Sequence, residues 1–249
     1  MKKKFTATKL YIVINILIFL LIYLKDPRVS IITLIDFGAQ NGFSLADGKL
    51  WHLVMPMFLH ASWQHLGLNC LSIYIFGRFV ESYYGSKPFV FISLVIGVLA
   101  SLGSFLTQPR VSVGASGVVY GYFAFHLYLY FLNKERYKAS FGSDIFILLA
   151  INIGYSIFGA NIDMAGHLFG LAGGFIIFLL LDKKKVKRSS KVLLTSLLLI
   201  FALLSGARIV SYRGSEDYYL SKIYYYDQKK EPILRDELIK EYIQRYSSP

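Results

Sequence analysis

The 249-residue chain is 55% hydrophobic and 16% aromatic, and its formal net charge is +12. This composition is too apolar for an ordinary water-soluble domain and indicates a membrane protein. The Lys and Arg residues fall between apolar runs rather than on one face, which argues against a nucleic-acid-binding protein. A single cysteine, Cys70, excludes an internal disulfide framework, and its apolar surroundings indicate a small buried side chain.

Seven apolar runs are candidates for membrane-spanning helices, since a span needs roughly 20 apolar residues. They cover residues 10–24, 66–80, 88–106, 113–132, 141–158, 164–181 and 192–210. A secretory signal peptide is the alternative for the first run, but Lys25-Asp26-Pro27 stands where a small-residue cleavage site would be expected. We therefore expect a retained N-terminal anchor.

Basic residues cluster before the first run, after the fourth, and between the sixth and the seventh. The clusters consist of Lys2, Lys3, Lys4 and Lys9; of Lys134, Arg136 and Lys138; and of Lys183, Lys184, Lys185, Lys187, Arg188 and Lys191. Positive charge collects on the cytoplasmic side of short membrane loops, and seven spans place all three clusters on one side. This topology predicts a cytoplasmic N-terminus and an extracytoplasmic C-terminus. The second, fourth and sixth spans then run inward from the outer face.

The stretch between the first two spans, residues 26–63, has an apolar patch of its own at residues 54–59. Trp51 and Trp63 flank that patch, and Phe58 lies within it. Aromatic side chains are enriched where a membrane meets water. We therefore predict that this outer stretch is a membrane-embedded loop.

Residues 211–249 differ in composition from the rest of the chain. They are rich in Tyr and contain equal numbers of basic and acidic residues, which predicts an extramembrane tail. Apolar and aromatic residues recur there at a spacing of four, which indicates one amphipathic helix. The recurring residues are Leu234, Leu238, Tyr242 and Tyr246.

Ser116 and His167 stand at the outer ends of the fourth and sixth predicted spans, where polar groups usually mark function. A serine hydroxyl is a poor nucleophile until a base takes its proton, and an imidazole can act as that base at neutral pH. Gly114 and Gly117 permit a tight turn at the helix start. The start of a helix also leaves the serine amide free to bind a developing oxyanion. A small-residue contact between helices is the alternative interpretation.

Glycines recur at a spacing of four on both of these spans, as Gly117 and Gly121 on the fourth and as Gly170 and Gly174 on the sixth. Each pair gives its helix a flat face that lets a neighbouring backbone approach closely. We predict that the two spans pack through these faces, which brings the serine and the histidine within hydrogen-bond reach. Tyr120, one turn beyond the serine, is expected to stack on the imidazole, with an ordinary core aromatic as the alternative.

His65 and Asn69 lie four residues apart in the second span and therefore share one helix face. Both side chains have donors that can point toward an oxyanion, and His60 lies near the same mouth. Removing one such donor typically lowers a rate about 10²- to 10³-fold. Polar contacts between helices are the alternative role for this pair.

No acidic residue completes a triad in the sequence. Asp163 lies four residues before the candidate base, but its place in a short outer loop favours a helix cap over an orienting partner. His60 and His65 are five residues apart, so they do not share a helical face, and no Cys or Glu lies near them, which argues against a metal site. No cofactor is expected, and neither His52 nor His126 receives a role.

In order and spacing these motifs resemble those of the rhomboid family of intramembrane serine proteases. The similarity covers residues 51–181 and rests on four patterns. They are His60-x4-His65-x3-Asn69, Glu81-x3-Gly85, Gly114-Ala115-Ser116-Gly117 with Tyr120 and Gly121, and His167-x2-Gly170-x3-Gly174. Two positions depart from the family pattern, because Trp51-His52 replaces a usual Trp-Arg pair and Gly166 replaces an alanine. Neither is a catalytic position of the family.

The resemblance implies an all-α polytopic membrane protein, built as a six-helix bundle plus a seventh, C-terminal transmembrane helix. It implies a Ser-His dyad of Ser116 and His167, without an acid. It also implies an oxyanion hole formed by His65, Asn69 and the serine amide. The implied substrates are single-pass transmembrane proteins, cut in or next to their transmembrane helix. The implied site is a water-filled cavity within the bilayer. The charge topology predicts that this site opens to the extracytoplasmic side. The N-terminal anchor, with no organelle-targeting sequence, is typical of a bacterial plasma membrane protein.

Four regions follow from this interpretation. They are an N-terminal anchor with the start of the outer loop (1–50), a catalytic core (51–181), a basic loop with the seventh helix (182–210) and the tail (211–249). Two other functions compete with a protease. A catalytically silent rhomboid-like protein that binds membrane helices would be expected to lack a dyad residue, and a transporter would be expected to show polar mid-membrane residues and an internal repeat. Both dyad residues are present, and the spans nearly lack charge.

Overall fold

The computed structural model describes residues 6–142, 144–158 and 162–246, and the chain within those ranges is helical and has no β-strand. One isolated antiparallel bridge joins Gln40 to Ser112. Two 3-10 turns lie at Leu50–Leu53 and Met55–Phe58, and a π-helical turn at Ile73–Gly77 joins two of the helices. The helices are α1 (Thr6–Lys25), α2 (Ile31–Asp36), α3 (Gly42–Ala46), α4 (Trp63–Ser72), α5 (Arg78–Tyr84), α6 (Ser86–Thr107), α7 (Ser116–Leu132), α8 (Lys134–Phe141), α9 (Asp144–Phe158), α10 (Met164–Leu181), α11 (Arg188–Tyr212), α12 (Glu216–Gln228) and α13 (Pro232–Tyr246).

A helix forms at each of the seven predicted spans, so the all-α polytopic fold is confirmed. Among the described residues, four helices are long and apolar enough to cross a membrane, namely α1, α6, α10 and α11. The second predicted span is longer than expected, since α4, the π-helical turn and α5 form one continuous helical stretch. The basic cluster at residues 2–4, residue 143 of the fifth predicted span and the tail residues 247–249 lie outside the described residues.

Helix α7 occupies the centre of the bundle. Its side chains are buried on all sides, with Tyr122, Phe123 and Phe125 at most 1% exposed. A helix that is hydrophobic all round belongs in the interior, and α7 packs there between α6 and α10. By contrast, α11 exposes Leu203 and Val210, as expected for a helix that faces lipid.

The central helices α7 and α10 meet through the predicted glycine faces. A Cβ atom on Gly170 would lie 2.1 Å from the Gly117 carbonyl oxygen, and one on Gly174 would lie 2.7 Å from the Gly121 Cα. These are backbone atoms, so only a residue without a side chain fits at this crossing. The two backbones therefore approach as closely as the glycine spacing predicts.

A buried carboxylate in the middle of α5 ties three helices together. Glu81 is 3% exposed and accepts hydrogen bonds from the backbone N–H groups of Ala7 and Thr8, at 3.0 and 2.9 Å. The hydroxyls of Thr8 and Ser86 also donate to it, each at 2.6 Å. The first N–H groups of a helix have no partner within that helix, and a negative charge there is favourable. Glu81 thus caps α1 and holds it against α5 and the start of α6.

The outer loop, residues 26–63, is folded rather than extended. Ser30 caps α2 and Asn41 caps α3. His52, to which the sequence analysis assigns no role, is 3% exposed, and its Nδ1 donates to the Ala39 carbonyl at 2.7 Å. This bond fastens the first 3-10 turn to the strand-like segment before α3, so His52 has a structural role.

The tail forms two helices, of which the sequence analysis predicts only the second, α13. The unpredicted helix α12 is capped by Ser215, whose hydroxyl accepts from the Tyr218 amide at 3.2 Å. Leu238 and Tyr242 of α13 pack on Tyr219 of α12, and the hairpin covers Phe43 of the outer loop. The apolar face of α13 is therefore buried against α12 and the loop.

Charged and phenolic groups hold this hairpin to the outer loop. Tyr218 donates to Asp47 at 2.7 Å, and Lys222 pairs with the same carboxylate at 2.7 Å. Tyr225 and Lys229 bond in the same way to Asp36. Burial, and after it the hydrogen bond to that carboxylate, raises the pKa of Tyr225 to about 12. The tail and the outer loop consequently lie on one side of the helical bundle.

We expect Glu81→Ala to lower the free energy of unfolding by about 3 kcal/mol, because two backbone donors of α1 would lose their partner. Glu81→Gln keeps an acceptor oxygen and should cost about 1 kcal/mol. Detergent-denaturation curves that follow helix content give both values. Equal stability of Glu81→Ala and the wild type would contradict the capping role.

Gly170→Ala should destabilise the protein by about 3 kcal/mol and separate α7 from α10, because the new methyl group meets the Gly117 carbonyl, which cannot move aside. The matched control is Gly206→Ala on α11, where a Cβ atom meets nothing within 4 Å. Alanine is the better helix former, so this control should be neutral or stabilise by up to about 1 kcal/mol. The same denaturation curves compare the two variants, and similar values for both would refute the packing argument.

Candidate active site

Ser116 is the first residue of α7, where the chain enters the helix through a glycine turn. Gly114 has φ +126°, a conformation that favours glycine. A Cβ atom at this position would also lie 2.6 Å from the His65 Nε2 atom. Glycine is therefore required at 114 both by the backbone conformation and by the imidazole beside it.

The predicted partner of the serine lies in the first turn of α10. His167 is 8% exposed, and its Nε2 is 2.7 Å from the Ser116 Oγ. The residues are 51 positions apart in the chain, and the contact of α7 with α10 brings them together. A hydroxyl and an imidazole nitrogen at this distance meet the geometric requirement for a nucleophile and its base.

Asp163 caps α10, as the sequence predicts. Its carboxylate accepts from the Gly166 amide at 2.8 Å and from the Ser112 hydroxyl at 2.6 Å. Ser112 lies just before α7, so one carboxylate connects the starts of both helices. This bridge fixes the two helix ends that present Ser116 and His167.

Tyr120 stacks on the imidazole of His167. The ring centroids are 4.4 Å apart and the ring planes differ by 12°. The Tyr120 hydroxyl lies 2.8 Å from the Ser156 Oγ, which is also 2.8 Å from the Nδ1 of His167. Ser156 is not predicted as a site residue, although Asn152 and Ser156 form an i, i+4 polar pair within an apolar predicted span. Such a pair is a recognisable signal, because polar residues inside membrane spans usually mark function.

The candidate side-chain donors to the oxyanion differ in what they contact. The ring of His65 lies beside Gly114 and faces the same space as Ser116. The Asn69 amide donates to the His65 carbonyl of its own helix at 3.0 Å. His60 is fully buried, and its ring meets the His65 ring edge-on with centroids 5.0 Å apart. His60 therefore packs against His65, and the His65 ring is the one that lies beside the turn leading to the serine.

A small cavity of about 30 Å³ opens beside the two candidate catalytic side chains. This volume accommodates about two water molecules. Its lining comes from the outer loop, α6, the α7 entrance and the start of α10, and includes Met57, Gly97, Ser116, Asp163 and His167. Within residues 6–142, 144–158 and 162–246, no three His, Cys, Asp or Glu residues lie together as a metal site would require.

Comparison with known proteins identifies the family. The sequence model of the Rhomboid domain matches residues 47–184. Rhomboid protease GluP of Bacillus subtilis strain 168 is 36% identical over 170 residues, which is 68% of this chain but 34% of that protein. The putative rhomboid protease YdcA of the same organism is 31% identical over 185 residues, 72% of this chain and 93% of that protein. Rhomboid-like protease 3 of Toxoplasma gondii is 33% identical over 156 residues, 61% of this chain and 59% of that protein.

The matched region contains the whole α7–α10 contact, both candidate catalytic side chains and the two candidate oxyanion donors. The apolar helices and the similarity to relatives from a bacterium support a multi-pass membrane protein. The chain belongs to the rhomboid family.

Proposed function

We propose that this protein is an intramembrane serine protease that hydrolyses peptide bonds in or next to the transmembrane helix of single-pass membrane proteins. The observation that carries this proposal is the 2.7 Å contact between the Ser116 hydroxyl and the His167 Nε2. Two of the relatives are named as a rhomboid protease and a putative rhomboid protease, and these names support the same activity.

In the proposed reaction, His167 Nε2 takes the hydroxyl proton of Ser116 while the Oγ attacks the scissile carbonyl carbon. The resulting oxyanion is bound by the Ser116 amide, an unpaired donor at the helix start, and by the His65 ring. Asn69 joins them if its amide turns from the His65 carbonyl to the substrate. The imidazolium then protonates the leaving amine as the C–N bond breaks, which leaves an acyl-enzyme.

Water completes the proposed cycle. His167 removes a proton from a water molecule in the small cavity, and the hydroxide attacks the acyl carbon. The second tetrahedral intermediate collapses, and the proton returns to the Ser116 Oγ. The carboxylate product leaves, and the dyad is restored without participation of an acidic residue. Asp163 contributes by fixing the helix ends, since its oxygens accept from Ser112 and Gly166.

The substrate must present an accessible carbonyl to Ser116. A transmembrane helix keeps its carbonyls in hydrogen bonds, so the proposed cleavage sites contain small or helix-weakening residues near the outer surface. Cleavage there releases an outer fragment. The proposed catalytic core is residues 51–181, with 1–50 as anchor and the start of the outer loop, 182–210 as basic loop and seventh helix, and 211–249 as extramembrane tail.

We also infer that the N-terminus is cytoplasmic and that the site opens to the extracytoplasmic side of the plasma membrane. The clusters of Lys and Arg support this orientation, and the contacts of the tail support the number of crossings. Because Tyr218 and Lys222 bind Asp47, the tail and the outer loop share a side, which requires an even number of crossings between them. Six predicted spans intervene, namely α4–α5, α6, α7, α9, α10 and α11, whereas the short polar helix α8 belongs to the basic loop between two of them.

The first test is cleavage of a model single-pass substrate by the purified protein in liposomes. Ser116→Ala and His167→Ala should each reduce kcat by at least about 10³-fold, because removing either partner disables the nucleophile. A serine-directed fluorophosphonate should label the wild type and not Ser116→Ala. The control is Ser205→Ala, a buried serine on α11 that bonds only to the Phe201 carbonyl among described residues and should keep full activity.

Two results would contradict the protease proposal. One is retained cleavage in Ser116→Ala. The other is a folded wild-type protein that cleaves none of several substrates and takes up no fluorophosphonate, which would favour a catalytically silent protein that binds membrane helices.

The topology predicts opposite labelling of two single-cysteine variants in a Cys70→Ser background. Lys240→Cys on α13 should react with a membrane-impermeant maleimide added to intact cells, because the tail is extracytoplasmic. Glu135→Cys on α8 should react only after the membrane is permeabilised. Both positions are exposed, so accessibility of the side chain is matched. The reverse pattern, or labelling of both in intact cells, would refute the proposed orientation.

A further inference from the structure

Ser156 on α9 contacts the catalytic centre through a single buried hydroxyl. The residue is 4% exposed, and its Oγ has three partners at hydrogen-bond distance. They are the Nδ1 of His167 at 2.8 Å, the hydroxyl of Tyr120 at 2.8 Å and the carbonyl oxygen of Asn152 at 2.9 Å. Three partners exhaust the capacity of a serine hydroxyl, which has one donor and two acceptor sites.

These contacts admit one arrangement of hydrogens. The Asn152 carbonyl only accepts, so the one hydroxyl proton of Ser156 must point to it. The other two partners must then donate to Ser156. The Tyr120 hydroxyl donates, and the His167 Nδ1 has its proton and donates as well.

This arrangement determines the tautomer of His167. A neutral imidazole has one proton, and with that proton on Nδ1 the Nε2 has a free lone pair. The lone pair faces the Ser116 hydroxyl at 2.7 Å, which is the orientation that a general base requires. The opposite tautomer would place a proton on Nε2 and could not accept the serine proton.

We propose that Ser156 is a positioning residue that holds His167 in the tautomer and orientation of a general base. The proposal rests on the dyad proposed above and assigns to a neutral hydroxyl the orienting role that an acidic residue fills in Ser-His-Asp triads. When His167 takes a proton from Ser116, Nδ1 keeps its own proton and its bond to Ser156. Ser156 therefore neither gains nor loses a proton at any step.

Tyr120 and Ser156 constrain the imidazole in different directions. The stacked phenol ring, tilted by only 12°, fixes the plane of the imidazole. Rotation within that plane is left free by stacking, and the bond from Nδ1 to Ser156 opposes it. Tyr120 also donates to Ser156. The residue that fixes the plane of the imidazole therefore also holds the hydroxyl that opposes its rotation within that plane.

The proposal also makes α9 a part of the active site. The remaining polar groups of the site come from α4, α7 and α10, whereas Ser156 is supplied by a helix whose opposite side exposes Ile147 and Ile151. The base is thus correctly oriented only while α9 is seated against α7 and α10.

The test compares Ser156→Thr with Ser156→Val. The two side chains have nearly the same shape, and only threonine keeps a hydroxyl that can bond to the i−4 carbonyl and accept from Nδ1. We expect Ser156→Thr to keep kcat within about threefold of the wild type. Ser156→Val should lose about tenfold in kcat with KM unchanged, as for loss of one neutral hydrogen bond in the transition state.

The matched control is the pair Ser205→Thr and Ser205→Val on α11. Ser205 is also buried and bonds to the i−4 carbonyl of Phe201 at 2.8 Å, but it is not a partner of His167. Both variants at 205 should give the same kcat. Thermal melting of all four variants shows whether each is folded.

A spectroscopic readout separates orientation from packing. In protein labelled with ¹⁵N-histidine, the His167 signals, assigned by difference with His167→Gln, should show the Nδ1–H tautomer in the wild type and in Ser156→Thr. In Ser156→Val the Nε2–H tautomer should appear. Equal kcat in Ser156→Thr and Ser156→Val, or an unchanged tautomer in the latter, would overturn the positioning role and leave the dyad intact. Retained cleavage in Ser116→Ala would instead overturn the proposed function itself.

Discussion

The close contact of the α7 and α10 backbones is the constraint on which the site depends. A Cβ atom on Gly170 would lie 2.1 Å from the Gly117 carbonyl oxygen, so the two helices are nearer than any side chain would allow. In a membrane, apolar helices gain little from hydrophobic burial against each other, and close van der Waals packing has a larger share in their association. Glycine faces therefore stabilise the bundle and, by the same contact, bring Ser116 to 2.7 Å from His167.

Four carboxylates in this apolar protein each join separate parts of the chain. Glu81 binds the start of α1 and the start of α6, and Asp163 binds the entrance to α7 and the start of α10. Asp36 and Asp47 bind the tail to the outer loop. An unpaired buried polar group is costly where the dielectric constant is low, so these carboxylates specify which segments meet as well as stabilising them.

The site combines rigid parts supplied by several helices. The serine and the tyrosine that stacks on the imidazole come from α7, and the imidazole comes from α10. Helix α4 contributes the His65 ring, and α9 contributes the Ser156 hydroxyl. No acidic side chain bonds to the imidazole among the described residues. Placing a neutral hydroxyl on Nδ1 avoids a buried carboxylate beside the base, which in a membrane would be an expensive group to leave unpaired.

Local pattern in the sequence determined a large part of this structure. Apolar runs located seven helices, glycine spacing indicated which two pack most closely, and the motifs identified Ser116, His167 and the capping role of Asp163. These features are encoded within a few residues of one another, where hydrophobicity, backbone freedom and capping act directly. Helix α12 was missed although Ser215 and the acidic first turn are local start signals. The docking of α12 on Asp47 and the role of His52 depend on partners elsewhere in the chain, so local pattern did not reveal them.

The tertiary structure alone decided which polar side chain meets the second nitrogen of the base. From the sequence, Asp163 was the nearest candidate, and the i, i+4 pair of Asn152 and Ser156 gave no indication of its target. Helix packing brings the Ser156 hydroxyl to 2.8 Å from the Nδ1 of His167 and leaves Asp163 as a cap. The sequence determines the chemistry available on each helix, whereas contacts between helices determine which of those groups share a site, because they depend on how all the helix faces pack together.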